Sequence, residues 1–237
     1  MSGAVPRFPR TYLLFALPEE AAPFLRRRAV VPALRGATEV RISGVGTDKA
    51  ARETAQILAE GPVQALLICG FGGGLTGQIT PGTLIVAEHV LDATNVLSAF
   101  PTAYRPDRRL LERAAGLRGD LATVGKVLTT PEEKNTLHTR TQAVMVDMET
   151  AGAARVAEQA GVPWLAVRVA TDSLDEALPF DFNALADPEG NVDRRRVVAA
   201  ALAQPWKIPA LIRLGVRSGR AAKTLGRFLE TYLQQPD

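Results

Sequence analysis

Val144-Met145-Val146-Asp147-Met148-Glu149-Thr150-Ala151-Gly152-Ala153-Ala154-Arg155 decides how this chain is read. Its valine-rich start has the character of a buried strand. An acid, a methionine and a second acid follow, and an alanine-rich helical pattern begins at once. Met148 and Glu149 therefore fall where a strand hands over to a helix. In parallel α/β sheets the edge outside the carboxyl ends of the strands is where ligands bind. A carboxylate placed there can hold hydroxyl groups. The plainer alternative is that Glu149 only favours the positive N-terminal end of its own helix.

Working outward, strands and helices alternate. Tyr12 to Leu17 reads as a first strand leading into Glu19-Glu20, with a helix through Arg28. Glu39 to Ser43 is a second strand, Asp48 to Glu60 an amphipathic helix and Gln64 to Cys69 a third strand. Gly70 to Leu75 reads as a glycine-rich turn, and Thr83 to Glu88 as a strand. Phe100 to Asp107 is loop-like, Arg108 to Leu117 helical and Leu121 to Leu128 a strand. A helix starts at Thr130-Pro131-Glu132-Glu133, with proline in its first turn. After the focal strand and helix, Val162 to Ala170 is a further strand that delivers Thr171-Asp172. Ala177 to Asp193 reads as a loop, and Arg194 to Leu233 as helix broken by Pro205 and Pro209. The expected fold is a single α/β domain over 1–237: a mixed central sheet with helices on both faces, and a basic helical extension over 194–233.

Strand ends then deliver Glu20, the glycine turn, Glu149 and Asp172 to one edge, a grouping that suits acid–base chemistry. Gly72-Gly73-Gly74-Leu75-Thr76-Gly77 matches the dinucleotide pattern G-x-G-x-x-G, but Pro81-Gly82 and a strand follow where a helix is required, so a nicotinamide cofactor is rejected. Gly72 and Gly73 instead let backbone approach a ligand closely. Ser43-Gly44-Val45-Gly46-Thr47 does join strand to helix. Its amides, Gly46 included, can hold a phosphate or a sugar hydroxyl, or simply make a tight turn.

The 237 residues, 46% hydrophobic and 22% charged, allow a full core. The lone Cys69 sits in an apolar run and reads as a small buried hydrophobe, in keeping with a reducing compartment. Two histidines and one cysteine, without paired spacing, give no metal site. No run reaches the roughly 18 apolar residues of a membrane span, so a cytoplasmic protein is expected. From Arg194 to Leu229 there are nine Lys or Arg and no acid, which leaves the rest net acidic. Trp206, Ile208, Leu211, Ile212, Leu214 and Phe228 lie among these cations. Such a mixture suits peripheral contact with an anionic membrane, and equally suits a solvated helical face. Nucleic acid is not an expected partner.

At these residues the chain resembles the purine nucleoside phosphorylase and uridine phosphorylase superfamily, and within it the methylthioadenosine/S-adenosylhomocysteine nucleosidase-like branch. The likeness spans roughly residues 11 to 176. It is carried by Ala16-Leu17-Pro18-Glu19-Glu20, Ser43-Gly44-Val45-Gly46, Gly70-Phe71-Gly72-Gly73-Gly74-Leu75, Val146-Asp147-Met148-Glu149 and Ala170-Thr171-Asp172-Ser173-Leu174-Asp175, in that order. The resemblance implies cleavage of the N-ribosyl bond of an adenosine-type nucleoside, with no cofactor beyond phosphate as a co-substrate if phosphate rather than water attacks. It implies that Asp172 protonates the purine at N7, that Glu149 holds the ribose hydroxyls with Met148 against the sugar, and that Glu20 activates water. Leu128 falls where that branch lends backbone to adenine. A homodimer is the implied assembly.

Four features depart from that branch. Phe71 replaces a small polar residue, and Thr171 replaces serine. Thr129 to Lys134 and the basic tail resemble instead the hopanoid-associated phosphorylases, which remove adenine from an adenosyl-hopane lipid. The leading substrate is therefore adenosylhopane, met by an enzyme resting at the inner face of the membrane. The rivals are methylthioadenosine or S-adenosylhomocysteine as substrate, and a catalytically inert nucleoside-binding module.

Overall fold

Strands β1 (Arg10–Phe15), β3 (Val63–Gly74) and β8 (Trp164–Asp172) lie side by side in parallel. Successive side chains on a strand point to opposite faces, and both faces here are apolar. Tyr12, Leu14, Leu66, Ile68, Trp164 and Ala166 pack on one side. Leu13, Phe15, Leu67, Cys69, Leu165 and Val167 pack on the other. A sheet buried on both faces requires helices on both. Helices α2 (Thr47–Ala59) and α5 (Thr150–Gln159) cover the first face, and α1 (Pro18–Val30) and α7 (Ile208–Gln234) the second. The chain is seen as a computed structural model that describes residues 10–34, 38–95, 101–185 and 194–235.

Five more strands complete an eight-stranded mixed sheet: β2 (Thr38–Ile42), β4 (Leu84–Asp92), β5 (Thr102–Tyr104), β6 (Leu117–Thr123) and β7 (Met145–Asp147). β2 extends it beyond β1, in parallel. On the other side the sheet curls back on itself. β3 pairs with β7, β7 with β6, β6 with β4, β4 with β8, and β8 with β3 again. The β3–β7 and β4–β8 pairs are antiparallel, which makes the sheet mixed as expected. This closed ring was not foreseen, and it brings the ends of β3, β7 and β8 together.

Several boundaries differ from the sequence reading. Gly70 to Gly74 form no turn: β3 runs straight through them, because the glycines meet a tertiary need described below. The stretch read as loop from Phe100 contains β5, a short antiparallel edge strand against β4; Phe100 itself lies outside the described residues. Helix α3 (Arg108–Arg113) stops early, and Leu117 already belongs to β6, so β6 ends at Thr123 and Leu128 follows it in a loop. Pro209 does not break the last helix. It occupies the first turn of α7, where its missing N–H was unpaired in any case. Pro205 does separate α6 (Arg194–Ala203) from α7, through a short 3₁₀ turn and a bend of 110°. Of the expected loop Ala177 to Asp193, residues 186–193 lie outside the described ones.

The second half of α7 is core. Ala221, Leu225 and Leu229 are fully buried, and Gly226 lets the helix lie against Pro23 and Phe24 of α1. Each buried leucine contributes about 1.5–3 kcal/mol. The first half of α7 differs: Ile212 and Val216 are more than half exposed. Among the described residues no single helix is long and apolar enough to cross a membrane.

Candidate active site

Helix α1 begins directly after β1, and its third residue is Glu20. The Glu20 carboxylate folds back on the helix start, as a capping-box glutamate does. Oε2 accepts from the amides of Ala16 and Leu17, both at 2.9 Å, and Oε1 accepts from the Phe71 amide at 2.8 Å. A carboxylate has about four lone-pair positions, so one remains for a ligand. Burial raises the Glu20 pKa, against the lowering effect of the Arg168 guanidinium.

Glu149 stands at the N-cap position of α5, just past β7, but its side chain makes no capping bond to that helix. Its Oε1 accepts from Gly46 N–H at 3.0 Å. Gly46 stands at the N-terminus of α2 with φ +111°, a conformation strained for any side chain. Two helix starts are thus pressed together, and Thr47 Oγ1 also donates to Met148 O at 3.0 Å. Gly152 makes this possible, since a Cβ there would lie 2.1 Å from Thr47 O. Burial pushes the Glu149 pKa up to about 7, opposed by Arg168 and assisted by the neighbouring Asp147 and Glu20 charges.

Asp172 is the last residue of β8, at a register shift opposite Gly72 and Gly73. Bulges of this kind re-aim side chains and gather beside active sites. A Cβ on Gly73 would press on the Asp172 carboxylate at 3.2 Å. Thr171 Oγ1 donates to Asp172 Oδ1 at 2.8 Å, and Lys134 Nζ donates to Oδ2 at 2.5 Å.

These residues share one cavity of about 290 Å³. Glu20, Phe71, Gly72, Gly73, Leu128, Met148, Glu149 and Asp172 all line it. Gly46 does not; it acts through its hydrogen bond to Glu149. The rest of the wall is mostly apolar and includes Leu17, Val45, Val127, Leu178, Phe182 and Leu214.

Three residues of the site carried no role in the sequence reading. Arg168, 1% exposed, lies beneath the carboxylates. It contacts Asp147 Oδ2 at 2.6 Å, Thr150 Oγ1 at 2.8 Å and Glu149 Oε2 at 3.5 Å. Asp147 is its buried counter-ion and also accepts from Thr123 Oγ1 at 2.6 Å and from Thr150. Lys134, also 1% exposed, reaches Asp172 from α4 (Pro131–Thr141). The glycine run serves this network. A Cβ on Gly70 would lie 2.1 Å from Arg168 Nη1 and 2.8 Å from Glu20 Oε1. One on Gly72 would strike Met145 and the Val146 carbonyl. The single signal available for Arg168 was a lone cation in the otherwise apolar run from Leu165 to Ala170. Such a cation must find buried acids.

Comparison with known proteins places this geometry in context. The sequence model described as the phosphorylase superfamily matches residues 5–204. A Shewanella halifaxensis 5'-methylthioadenosine/S-adenosylhomocysteine nucleosidase is 22% identical over 178 residues, covering 66% of this chain and 77% of its own. The Shewanella baltica enzyme of the same name is 24% identical over 163 residues, 60% of this chain and 69% of its own. Among solved structures, a Helicobacter pylori nucleosidase mutant holding 5'-methylthioadenosine in its active site superposes with a TM-score of 0.72 at 20% identity, covering 95% of this chain and 98% of its own. The native futalosine hydrolase of Helicobacter pylori gives 0.71 at 20% identity, over 94% and 97%. At such identities the structural likeness shows the fold.

Proposed function

The chain belongs to the phosphorylase superfamily, and from that premise we propose that it cleaves the N-ribosyl bond of an adenosine-type nucleoside. The observation that carries this reading is the convergence of Glu20, Glu149 and Asp172 on one largely apolar cavity. Departure of a purine leaves an oxocarbenium-like sugar. Three carboxylates (Glu20, Glu149 and the underlying Asp147) face a single guanidinium, so this side of the site holds surplus negative charge. The raised pKa values of Glu20 and Glu149 register the burial of that charge. A cationic sugar relieves the excess in the transition state, where the relief accelerates reaction. In this reading Glu149 takes the ribose hydroxyls, Met148 packs on the sugar and Asp172 faces N7. Leu128 borders the base.

We take water as the nucleophile. A phosphate dianion would enter beside acids, and the cations among the described lining residues are already engaged. Lys134 holds Asp172, and Lys126 donates to Glu133 at 2.8 Å. Glu20, a carboxylate at the cavity wall whose pKa is raised by burial, suits a general base. Incubation with 5'-substituted adenosines, with and without phosphate, followed by mass spectrometry of the sugar, tests the whole reading. Free adenine with a free ribose sugar, independent of phosphate, is the expected result. Ribose 1-phosphate would replace water by phosphate, and no adenine from any substrate would leave only a binding module.

The finer substrate we propose is a lipid-linked adenosine such as adenosylhopane, cleaved by a cytoplasmic protein resting on the membrane. Two observations favour it over methylthioadenosine. Leu214 and Ser218 bring α7 into the cavity wall. The same helix exposes Ile212 and Val216, and the segment leading to it exposes Leu202 and Trp206, with Arg213, Arg220, Lys223 and Arg227 also at the surface. An apolar 5' substituent leaving the cavity there would meet an apolar, cationic face. Each engaged cation is worth about 1 kcal/mol at an anionic surface. Co-sedimentation with anionic vesicles, weakening with salt, is expected. Equal recovery with neutral vesicles would remove the membrane from the proposal.

A further inference from the structure

The Lys134 ammonium is enclosed by three oxygens: Asp172 Oδ2 at 2.5 Å, Ser173 O at 2.6 Å and Glu176 O at 3.1 Å. Three acceptors use all three protons of a charged lysine, whereas a neutral amine could satisfy two. Asp172 Oδ2 accepts from Lys134, while Oδ1 lies 2.8 Å from Thr171 Oγ1, whose single proton has Gly72 O at 3.4 Å as its other acceptor. The transferable proton of this buried ion pair belongs to Lys134, one residue behind the group that would face the purine, and a purine leaves readily only when N7 is protonated.

We propose that Lys134 supplies the proton that leaves with the base, acting through Asp172; the inference rests on the N-ribosyl reading above. As the C–N bond to the sugar breaks, its electron pair moves into the purine and N7 becomes basic. The Asp172 O–H bond that delivers a proton to N7 is made from a Lys134 N–H bond. Asp172 begins and ends as a carboxylate, Lys134 ends as a neutral amine, and the base departs neutral. Lys134 recovers its proton from solvent once the product leaves the cavity, which it borders. The surroundings fit a shuttle. The two carbonyls hold the nitrogen in place whether or not it is charged. Glu176, which supplies one of them, is itself fixed by Arg217 at 2.6 and 2.7 Å.

A lysine that merely ties down the segment 173–176 would show a different dependence on leaving group, and this supplies the test. Wild type and Lys134→Gln are compared on three ribosides: 5'-methylthioadenosine, an N7-methylated purine nucleoside and a 4-nitrophenyl riboside. The last two leave without a proton from the protein. Glutamine keeps hydrogen bonding to the carbonyls but carries no transferable proton. The expected result is a loss of about 10²-fold or more in kcat on methylthioadenosine, with little change on the two self-sufficient leaving groups. Turnover of either also certifies that the variant is folded. Equal loss on every substrate, or none on methylthioadenosine, overturns the relay while leaving the N-ribosyl reading standing. A wild type that cleaves none of the three and releases no adenine from 5'-alkyl-substituted adenosines overturns that reading itself, and the relay with it.

Discussion

Asp172→Asn lowers turnover of an adenosine substrate by about 10²- to 10⁴-fold, the usual worth of a positioned general acid. The amide can still accept from Lys134 or Thr171, and it can lie against N7, but it cannot pass a proton on. Substrate binding persists, because the ribose and base contacts proposed for Glu149, Met148 and Leu128 lie elsewhere in the cavity. The variant also leaves the Lys134 ammonium without its counter-charge at 2.5 Å. It is therefore less stable as well as slow, and rates are to be measured where urea titration shows it folded. Adenine release at a tenth of the wild-type rate or better would remove Asp172 from the mechanism.

The residues most open to sequence reading were those at the ends of strands. Glu20, Glu149 and Asp172 each lie just past the end of an apolar run, so the fold class alone sends them to one edge. The alternation of strand and helix gave the fold class, and the two apolar faces of β1, β3 and β8 agree with it. The glycines misled, because local composition that favours a turn was in fact serving distant atoms. Gly70 makes room for Arg168, and Gly73 for Asp172, across strands separated by about a hundred residues of sequence. No local pattern encodes that need.

Lys134 and Arg168 were hidden for different reasons. Lys134 follows Pro131-Glu132-Glu133 at a capped helix start, where a lysine ordinarily faces water. It is buried because the chain returns at 173–176 to cover it, a contact some forty residues away. Arg168 sits within a strand whose hydrophobic run already satisfied the reading. What the sequence lacked was the closure of the ring, which sets β7 and β8 on either side of β3 and so places Asp147 beside Arg168.

Removing that guanidinium has the second large effect. Arg168→Met is expected to destabilise the fold by about 3–5 kcal/mol near neutral pH, as deletion of one partner of a buried pair does. Asp147, Glu149 and Glu20 would then share a buried site without the cation that lowers the Glu149 and Glu20 pKa values. The loss should depend on pH, and its sign follows from linkage. Glu149 already titrates higher in the folded protein, at about 7, than its ordinary value of 4.5. The folded state thus binds more protons than the unfolded between those values, and its contribution to stability falls as pH rises through that window. Without Arg168 the folded carboxyls hold their protons to still higher pH. The gap between wild type and variant is therefore small near pH 5 and widens above pH 7. Urea denaturation at the two pH values measures it. A gap equal at both, or below about 1 kcal/mol at neutral pH, would mean that the three acids do not depend on Arg168 for their burial.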